Sequence, residues 1–364
     1  MRLYWLIHFA SVAVVIATAL PLWRRESWWV RGWDFPRLQL ACLAAILLVL
    51  QGLLLDEGAT LTPVLQGLTA LCLCFQLWWI FPYTRLARRE VKDTRSEQID
   101  PQSSISILTA NVLTPNRQAP RFLELVRQWS PDIVVTLESD SWWQEQLDVL
   151  ESEYAYTVKC PLDNLYGMHV YSRLPLHDAQ VDFLVENDVP SMHAMVELPS
   201  GDYVRCHFLH PAPPSPTENE ESAERDAELV MVAKSLENYR KPVLVTGDLN
   251  DVAWSSTTRL FRKISGLLDP RVGRGMFNTY HAGLPFARWP LDHLFHSAHF
   301  TVNELRRLPS FGSDHFALYA RLQLSPKPLN EQEGLDADAD DEAWAEEKLS
   351  QQNVDESDVP VPRV

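Results

Sequence analysis

Six short stretches carry polar residues of one chemical character: Thr109-Ala110-Asn111, Leu137-Glu138-Ser139, Phe208-Leu209-His210-Pro211, Gly247-Asp248-Leu249-Asn250, Leu291-Asp292-His293 and Ser313-Asp314-His315. Carboxylates and an amide oxygen are hard ligands of the kind that suit Mg²⁺ or Mn²⁺. A carboxylate beside a histidine favours the imidazolium, the form useful against phosphate. Hydrolysis also needs a base for the attacking water and stabilisation of the leaving oxygen. Together these types fit phosphoester hydrolysis. Singly they have blander readings: Asp248-x-Asn250 fits an Asx turn, Glu138 before Ser-Asp fits a helix start, and His210 fits a loop histidine. Asp292 inside an apolar run is harder to explain away, because a buried carboxylate needs partners. His293, His296 and His299 crowd the same region, but a zinc cluster there lacks cysteine or a helical spacing.

Such residues need elements that end at one place. Strand-like runs, rich in β-branched and aromatic residues, cover Ile105–Ala110, Ile133–Leu137, His169–Tyr171, Met192–Glu197, Tyr203–Leu209, Val243–Thr246, Leu291–His296 and Ala317–Leu322. Helical patterns cover Arg121–Trp129, Trp142–Leu150, Glu218–Tyr239 and Ser255–Ile264. Strands mixed with helices predict a layered α/β or α+β domain, in which ligands gather at the strand ends. The two cysteines within this region, Cys160 and Cys206, make neither a disulfide framework nor a zinc site.

Ahead of that region lie three apolar runs, Leu3–Trp23, Leu38–Leu55 and Leu61–Tyr83. Each is near the roughly 20 residues a helix needs to cross a bilayer. Trp5, Trp23, Trp28, Trp29, Trp78, Trp79 and Tyr83 mark their ends as an aromatic belt would. Ala17-Thr18-Ala19 gives the first run a second reading, as a cleavable signal peptide. The first loop carries Arg24, Arg25, Arg31 and Arg37, the second carries Asp56 and Glu57, and the exit carries Arg85, Arg88, Arg89, Lys92 and Arg95. The positive-inside rule then puts the catalytic part in the cytoplasm. Residues 84–102 read as a flexible linker. The segment 326–364 reads as an acidic disordered tail, with twelve acids against two bases over residues 331–364. The net charge is −16, and the middle of the chain is acidic even without the tail. Long nucleic acid, gripped by displacing counterions with Lys and Arg, is disfavoured as a partner.

The order of the motifs resembles the endonuclease/exonuclease/phosphatase (DNase I-like) superfamily over about 103–325. Further matches are Pro131-Asp132-Ile133-Val134 and Tyr166-Gly167-Met168-His169-Val170-Tyr171-Ser172-Arg173. With three helices in front, the chain looks like the membrane-anchored branch that holds VanJ-type and YafD-type proteins. The resemblance implies a four-layer α/β/β/α sandwich preceded by three transmembrane helices (1–83). It implies Glu138 as a metal ligand with Asn111 beside it and Asp314 as a second ligand, for Mg²⁺ or Mn²⁺. Asp248 would activate the water, Asn250 would contact phosphate, and His315, oriented by Asp292, would contact the scissile phosphate. His210 matches a histidine usually found in Thr-His-Leu, although Phe208-Leu209 precede it here.

A membrane anchor raises the local concentration of lipid headgroups. The expected activity is therefore hydrolysis of a lipid-linked or other membrane-associated phosphate or pyrophosphate. Arg173, Arg271, Arg274 and Arg288, in expected loops, are candidates for phosphate binding, Arg173 and Arg288 foremost. Two competing readings are a membrane-bound nuclease and a pseudoenzyme that binds phosphorylated ligands without turnover.

Overall fold

The computed structural model describes residues 2–55, 61–325, 327–329 and 331–362. Asp56 and Glu57, read above as the second loop, lie outside the described residues. Three helices, α1 (Arg2–Ala19), α3 (Arg37–Leu54) and α4 (Leu61–Ile80), form a bundle. A short turn of helix, α2 (Trp28–Arg31), lies in the connection between α1 and α3. The three long helices are long and apolar enough to cross a membrane. Their polarity is inverted relative to a water-soluble bundle. Phe9, Leu53, Leu71 and Trp78 point outward, while Gln51 joins Ser11 and Thr69 inside, and Gln76 joins Thr18. Apolar exteriors with polar side chains paired between helices suit a hydrocarbon solvent.

The rest of the chain builds two sheets. The strands are β1 (Ser104–Asn111), β2 (Ile133–Leu137), β3 (Tyr156–Cys160), β4 (Met168–Ser172), β5 (Leu176–Asp182), β6 (Ser191–Glu197), β7 (Tyr203–Leu209), β8 (Val243–Asp248), β9 (Asp292–His296), β10 (Phe300–Arg307) and β11 (Leu318–Leu324). One sheet runs β10-β11-β1-β2-β4-β3 and the other β5-β6-β7-β8-β9. Alternation along each strand sends side chains to opposite faces. Ile105, Ile107, Ile133 and Val135 join Cys206, Phe208 and Leu244 between the sheets. Leu108, Ala110 and Val134 face outward, under α5 (Ala119–Trp129) and α6 (Ser141–Leu147). Val243, Val245 and Phe295 face outward on the other side, under α7 (Ala223–Leu236) and α8 (Ser256–Ser265). The result is the expected four-layer α/β/β/α sandwich.

Two expectations from composition are overturned. The acidic tail is not disordered: Ala339–Gln352 forms helix α9, capped by the Asp338 carboxylate on the Asp340 and Asp341 amides. Its Trp344, Ala345 and Leu349 pack with α7 and α8. Its acids face lysines, with Glu342 on Lys234 and Asp341 on Lys263. Like charge along the chain therefore meets opposite charge across the packing surface, which composition does not reveal. Residues 84–102 are docked rather than free. Val91 is buried, Glu90 takes both bonds from Arg262, and the backbone of Lys92 and Thr94 pairs with Val302 of β10.

The bundle also packs on the sandwich. Ile80 and Tyr83 share an apolar cluster with Val252, Ala253, Trp254 and Leu291. Trp254 Nε1 donates to the Asp34 carbonyl at 2.8 Å, and Tyr83 Oη donates to the Ala253 carbonyl at 2.6 Å. Chain pairing between Ser27 and Glu221 adds a third seam. The pose of the sandwich on the bundle is thus fixed by the connection between α1 and α3 and by the exit of α4.

Candidate active site

Topology alone brings the motif residues together. β1 and β2 run parallel, so Asn111 at the end of one lies beside Glu138 just past the other. β7 and β8 are also parallel, placing His210 next to Asp248. β9 is antiparallel to β8 and starts where it ends, with Asp292 directly opposite Asp248. β11 starts beside the end of β1, which brings Asp314 and His315 to the same edge. The two sheets meet there through Thr109 and Thr246, whose hydroxyls are 2.8 Å apart. All eight motif residues therefore share one rim.

Local backbone sets each side chain. Glu138 turns the chain out of β2 in the left-handed region, φ +57°. The Ser139 amide then bonds the Gly167 carbonyl at 2.9 Å, where a Cβ on Gly167 would collide with Ser139. The Asp248-x-Asn250 string is indeed an Asx turn, with the Asn250 amide donating to Asp248 Oδ1 at 3.0 Å. Turn and active-site geometry coincide here, because the turn aims the second carboxylate oxygen inward.

Asn111 Nδ2 bridges the sheets, donating to Glu138 Oε1 at 2.6 Å and to Asp248 Oδ2 at 3.2 Å. His315 Nδ1 lies 2.8 Å from Asp292 Oδ2, and its Nε2 lies 3.5 Å from Asp248 Oδ2. Burial works against a charge on His315, but Asp292 and Asp248 outweigh it and raise its pKa to about 10. His210 behaves oppositely. Burial lowers its pKa to about 4, and its Nδ1 has no partner. One histidine is thus charged and the other neutral at pH 7.

Glu138 is the residue short of positive charge. Burial pushes its pKa up to about 7, and Oε2 is buried without a hydrogen bond. A buried carboxylate oxygen with no donor, next to an amide and near Asp314, fits a hard divalent cation. Asp248, Asp292 and His315 also offer three clustered ligand atoms. A protonated imidazole already donating to Asp292 is a poor metal ligand, so the Glu138 side fits the cation better.

The rim opens into a cavity of about 620 Å³. Glu138, Asn250, Asp314 and His315 form one wall. Trp28, Arg31, Phe35 and Pro36, from the connection between α1 and α3, form another part of its lining. Tyr280, Trp289 and Leu291 complete the lining, and the Tyr280 ring lies 4.8 Å from that of His315. The lining residues of the connection, Tyr280 and Trp289 carry no sequence signal for the site. The arginines of the first loop carried a charge signal, but that signal speaks of topology, not of a cavity.

The expected phosphate-binding arginines are employed elsewhere. Ser172 pairs with Ile133 at the start of β2, so Arg173 lies at the opposite end of the strand from Glu138. There it stacks on Tyr154 and pairs with Glu153. Arg288 staples its own loop, donating to the His281 and Ala282 carbonyls over the Phe316 ring. Arg271 is buried against Asp269 and His293, and Arg274 bonds Asp93 and the Val91 carbonyl. The extra histidines are structural: His293 also bonds the Asp251 carbonyl, and His296 and His299 bond Ser297.

Residues 108–315 match the model of the Endonuclease/Exonuclease/phosphatase family. No curated protein matches the chain. Among solved structures, the chain is similar to an endonuclease/exonuclease/phosphatase from Beutenbergia cavernae, at 18% identity and TM-score 0.51, covering 62% of this chain and 72% of that one. It is similar to the human Nocturnin catalytic domain with bound sulfate, at 18% identity and TM-score 0.51, covering 62% and 97%. It also resembles D. rerio TDP2 complexed with a single-strand DNA product, at 16% identity and TM-score 0.50, covering 61% and 99%. At these identities the structural likeness speaks for the fold alone. The family match over 108–315, on a two-sheet core whose strand ends carry the motifs in order, means that the chain belongs to the endonuclease/exonuclease/phosphatase family of metal-dependent phosphoesterases and nucleases.

Proposed function

We propose that this protein is a membrane-anchored hydrolase, dependent on Mg²⁺ or Mn²⁺, that cleaves a phosphate or pyrophosphate carried on a membrane-associated substrate. The observation that carries this reading is the cavity with two walls, one of catalytic residues and one from the connection between α1 and α3. A site for a fully aqueous polymer has no need of a wall supplied by the bundle. Leu284 and Phe286 add support: both are exposed on the loop that reaches Gln39 of α3, with Phe286 90% exposed. Apolar side chains at that level suit the bilayer interface. The same organisation supports placement in the VanJ-like and YafD-like branch, with the basic connection and the sandwich in the cytoplasm.

Glu138 and Asp314 would hold the cation in this reading, with Asn111 beside them donating to Glu138 Oε1. When bound, it supplies positive charge to the phosphoryl oxygens and favours ionisation of water. Asp248 orients the attacking water with the oxygen it shares with Asn111 and His315. His315 donates Nδ1–H to Asp292 and offers Nε2–H to a phosphoryl oxygen; it is also the histidine with a proton to give to the leaving oxygen. Asn250 spends one amide hydrogen on the Pro211 carbonyl and has a second for the phosphate. His210, neutral beside Asp248, accepts or donates a hydrogen bond without adding charge.

The test is phosphate release by the full chain in lipid nanodiscs with Mg²⁺. Three substrates are compared: a polyprenyl phosphate ester, a phospholipid diester and single-stranded DNA. Metal-dependent turnover of the lipid-linked esters is expected. Turnover of DNA alone would replace this reading with a membrane-bound nuclease, and no turnover of any class would favour a binding protein.

A further inference from the structure

Resting on the reading of the cavity as a phosphoesterase site, we infer that Arg31 binds a second anionic group of the substrate, one phosphate removed from the group held at His315. The chain would then prefer diphosphate esters of amphiphilic alcohols over monophosphate esters, and part of its specificity would come from outside the sandwich.

Arg31 closes α2 and is only 3% exposed. Its Nη1 donates to Ser256 Oγ at 3.2 Å. The nearest carboxylate is Asp34, 3.9 Å away, too far for a hydrogen bond, and Asp34 is already bonded to Arg37 at 2.6 Å. Arg31 Nε and Nη2 are buried with no partner. A guanidinium carries five N–H donors, and leaving the three on Nε and Nη2 unmet inside a protein is costly. Arg31 also lines the cavity that Asp314 and His315 line. Two unpartnered nitrogens in fixed fork geometry are the complement of a phosphate, which accepts two parallel bonds.

The position is prepared in advance. Trp28 N bonds the Glu220 carbonyl, Ser27 pairs with Glu221, and Trp254 holds the Asp34 carbonyl. The α2 turn therefore cannot swing away, and little ordering is left to be done on binding. Trp28, Phe35, Pro36, Pro213 and Pro214 surround Arg31 in the lining. This mixture suits a ligand with a charged head and an apolar stem. On the sandwich side, the acids Asp226 and Asp251 lie near enough to interact with neighbouring charges, including Arg31 for Asp226. They offset part of its charge without bonding the free donors.

The experiment compares farnesyl diphosphate with farnesyl phosphate on the full chain, wild type and Arg31→Gln, with Mg²⁺ in excess. Loss of a charge-assisted pair predicts a KM for the diphosphate raised about tenfold or more, with the monophosphate changed much less. Arg31→Lys should restore part of the difference. Inorganic pyrophosphate should inhibit the wild type at lower concentration than inorganic phosphate, which decides the matter even if Arg31→Gln fails to fold. Equal effects on both substrates, or equal inhibition by the two anions, would overturn the role of Arg31 while leaving the phosphoesterase reading intact. Hydrolysis of neither ester by the wild type would remove that reading itself.

Discussion

Asp292 Oδ2 lies 2.8 Å from His315 Nδ1, and both side chains are buried. The carboxylate fixes the ring orientation and commits Nδ1, so Nε2 alone is turned towards Asp248 and the cavity. Asp292→Asn keeps the size of the side chain but removes the charge that outweighs burial. General acid–base groups contribute about 10²–10⁴-fold, and a loss of at least the lower figure in kcat is expected. Circular dichroism and thermal melting should show the fold retained. Wild-type activity in this variant would remove His315 from the reaction.

Glu138 should show opposite effects on stability and activity. Its unpartnered Oε2 and raised pKa mark a carboxylate that is uncomfortable without a cation. Glu138→Gln is expected to abolish Mg²⁺-dependent turnover and yet melt at the same or higher temperature than the wild type in EDTA, as at other sites that trade stability for function. Chelation of the wild type should stop turnover, and Mg²⁺ should restore it. A Glu138→Gln protein that keeps its Mg²⁺ response would place the cation elsewhere.

The site was legible in the sequence because each of its residues lies at or near one end of a run rich in β-branched and aromatic residues. The eight runs of that composition are strands, and the motifs lie at their ends. The three strands outside those runs, β3, β5 and β10, are sheet edges. Charged residues such as Lys159, Asp178 and Arg306 break up their apolar pattern, and charge on an edge guards against pairing with other chains. Arg173 failed for a different reason. It does lie in a loop, but only the antiparallel register of β4 on β2 reveals that this loop is at the end away from Glu138. Arg31 could not be found by pattern at all: it reaches the cavity through packing between segments more than a hundred residues apart.

Gly247 permits the closest approach in the site. A Cβ at this position would run into the backbone carbonyl of Leu209, the residue before His210. Gly247→Ala must push β7 and β8 apart and move His210 and Asp248 with them. Overpacking of this kind costs about 1–3 kcal/mol. A fall in melting temperature together with loss of turnover is expected; a stable and active variant would show that the two strand ends have slack.

The tail helix should detach in acid. Asp226 of α7 is fully buried, and burial alone would raise its pKa, but Lys348 of α9, Arg225 and Arg31 together hold it below the usual carboxylate range. Its folded pKa is thus depressed relative to the unfolded value of about 3.9. The stabilisation is complete above that value and is lost as pH falls below it. Lys348 Nζ sits 2.6 Å from Asp226 and 2.8 Å from Glu26 in the connection between α1 and α3, so one lysine ties α9 to both parts of the molecule. Lys348→Met removes the tie and leaves Asp226 with Arg225, at a cost of about 3 kcal/mol for breaking a buried pair. Hydrogen exchange across Ala339–Gln352 should rise in this variant at pH 7, and in the wild type only below about pH 4. Protection of α9 that is indifferent to both changes would mean that Trp344, Ala345 and Leu349 hold the helix without the ion pair.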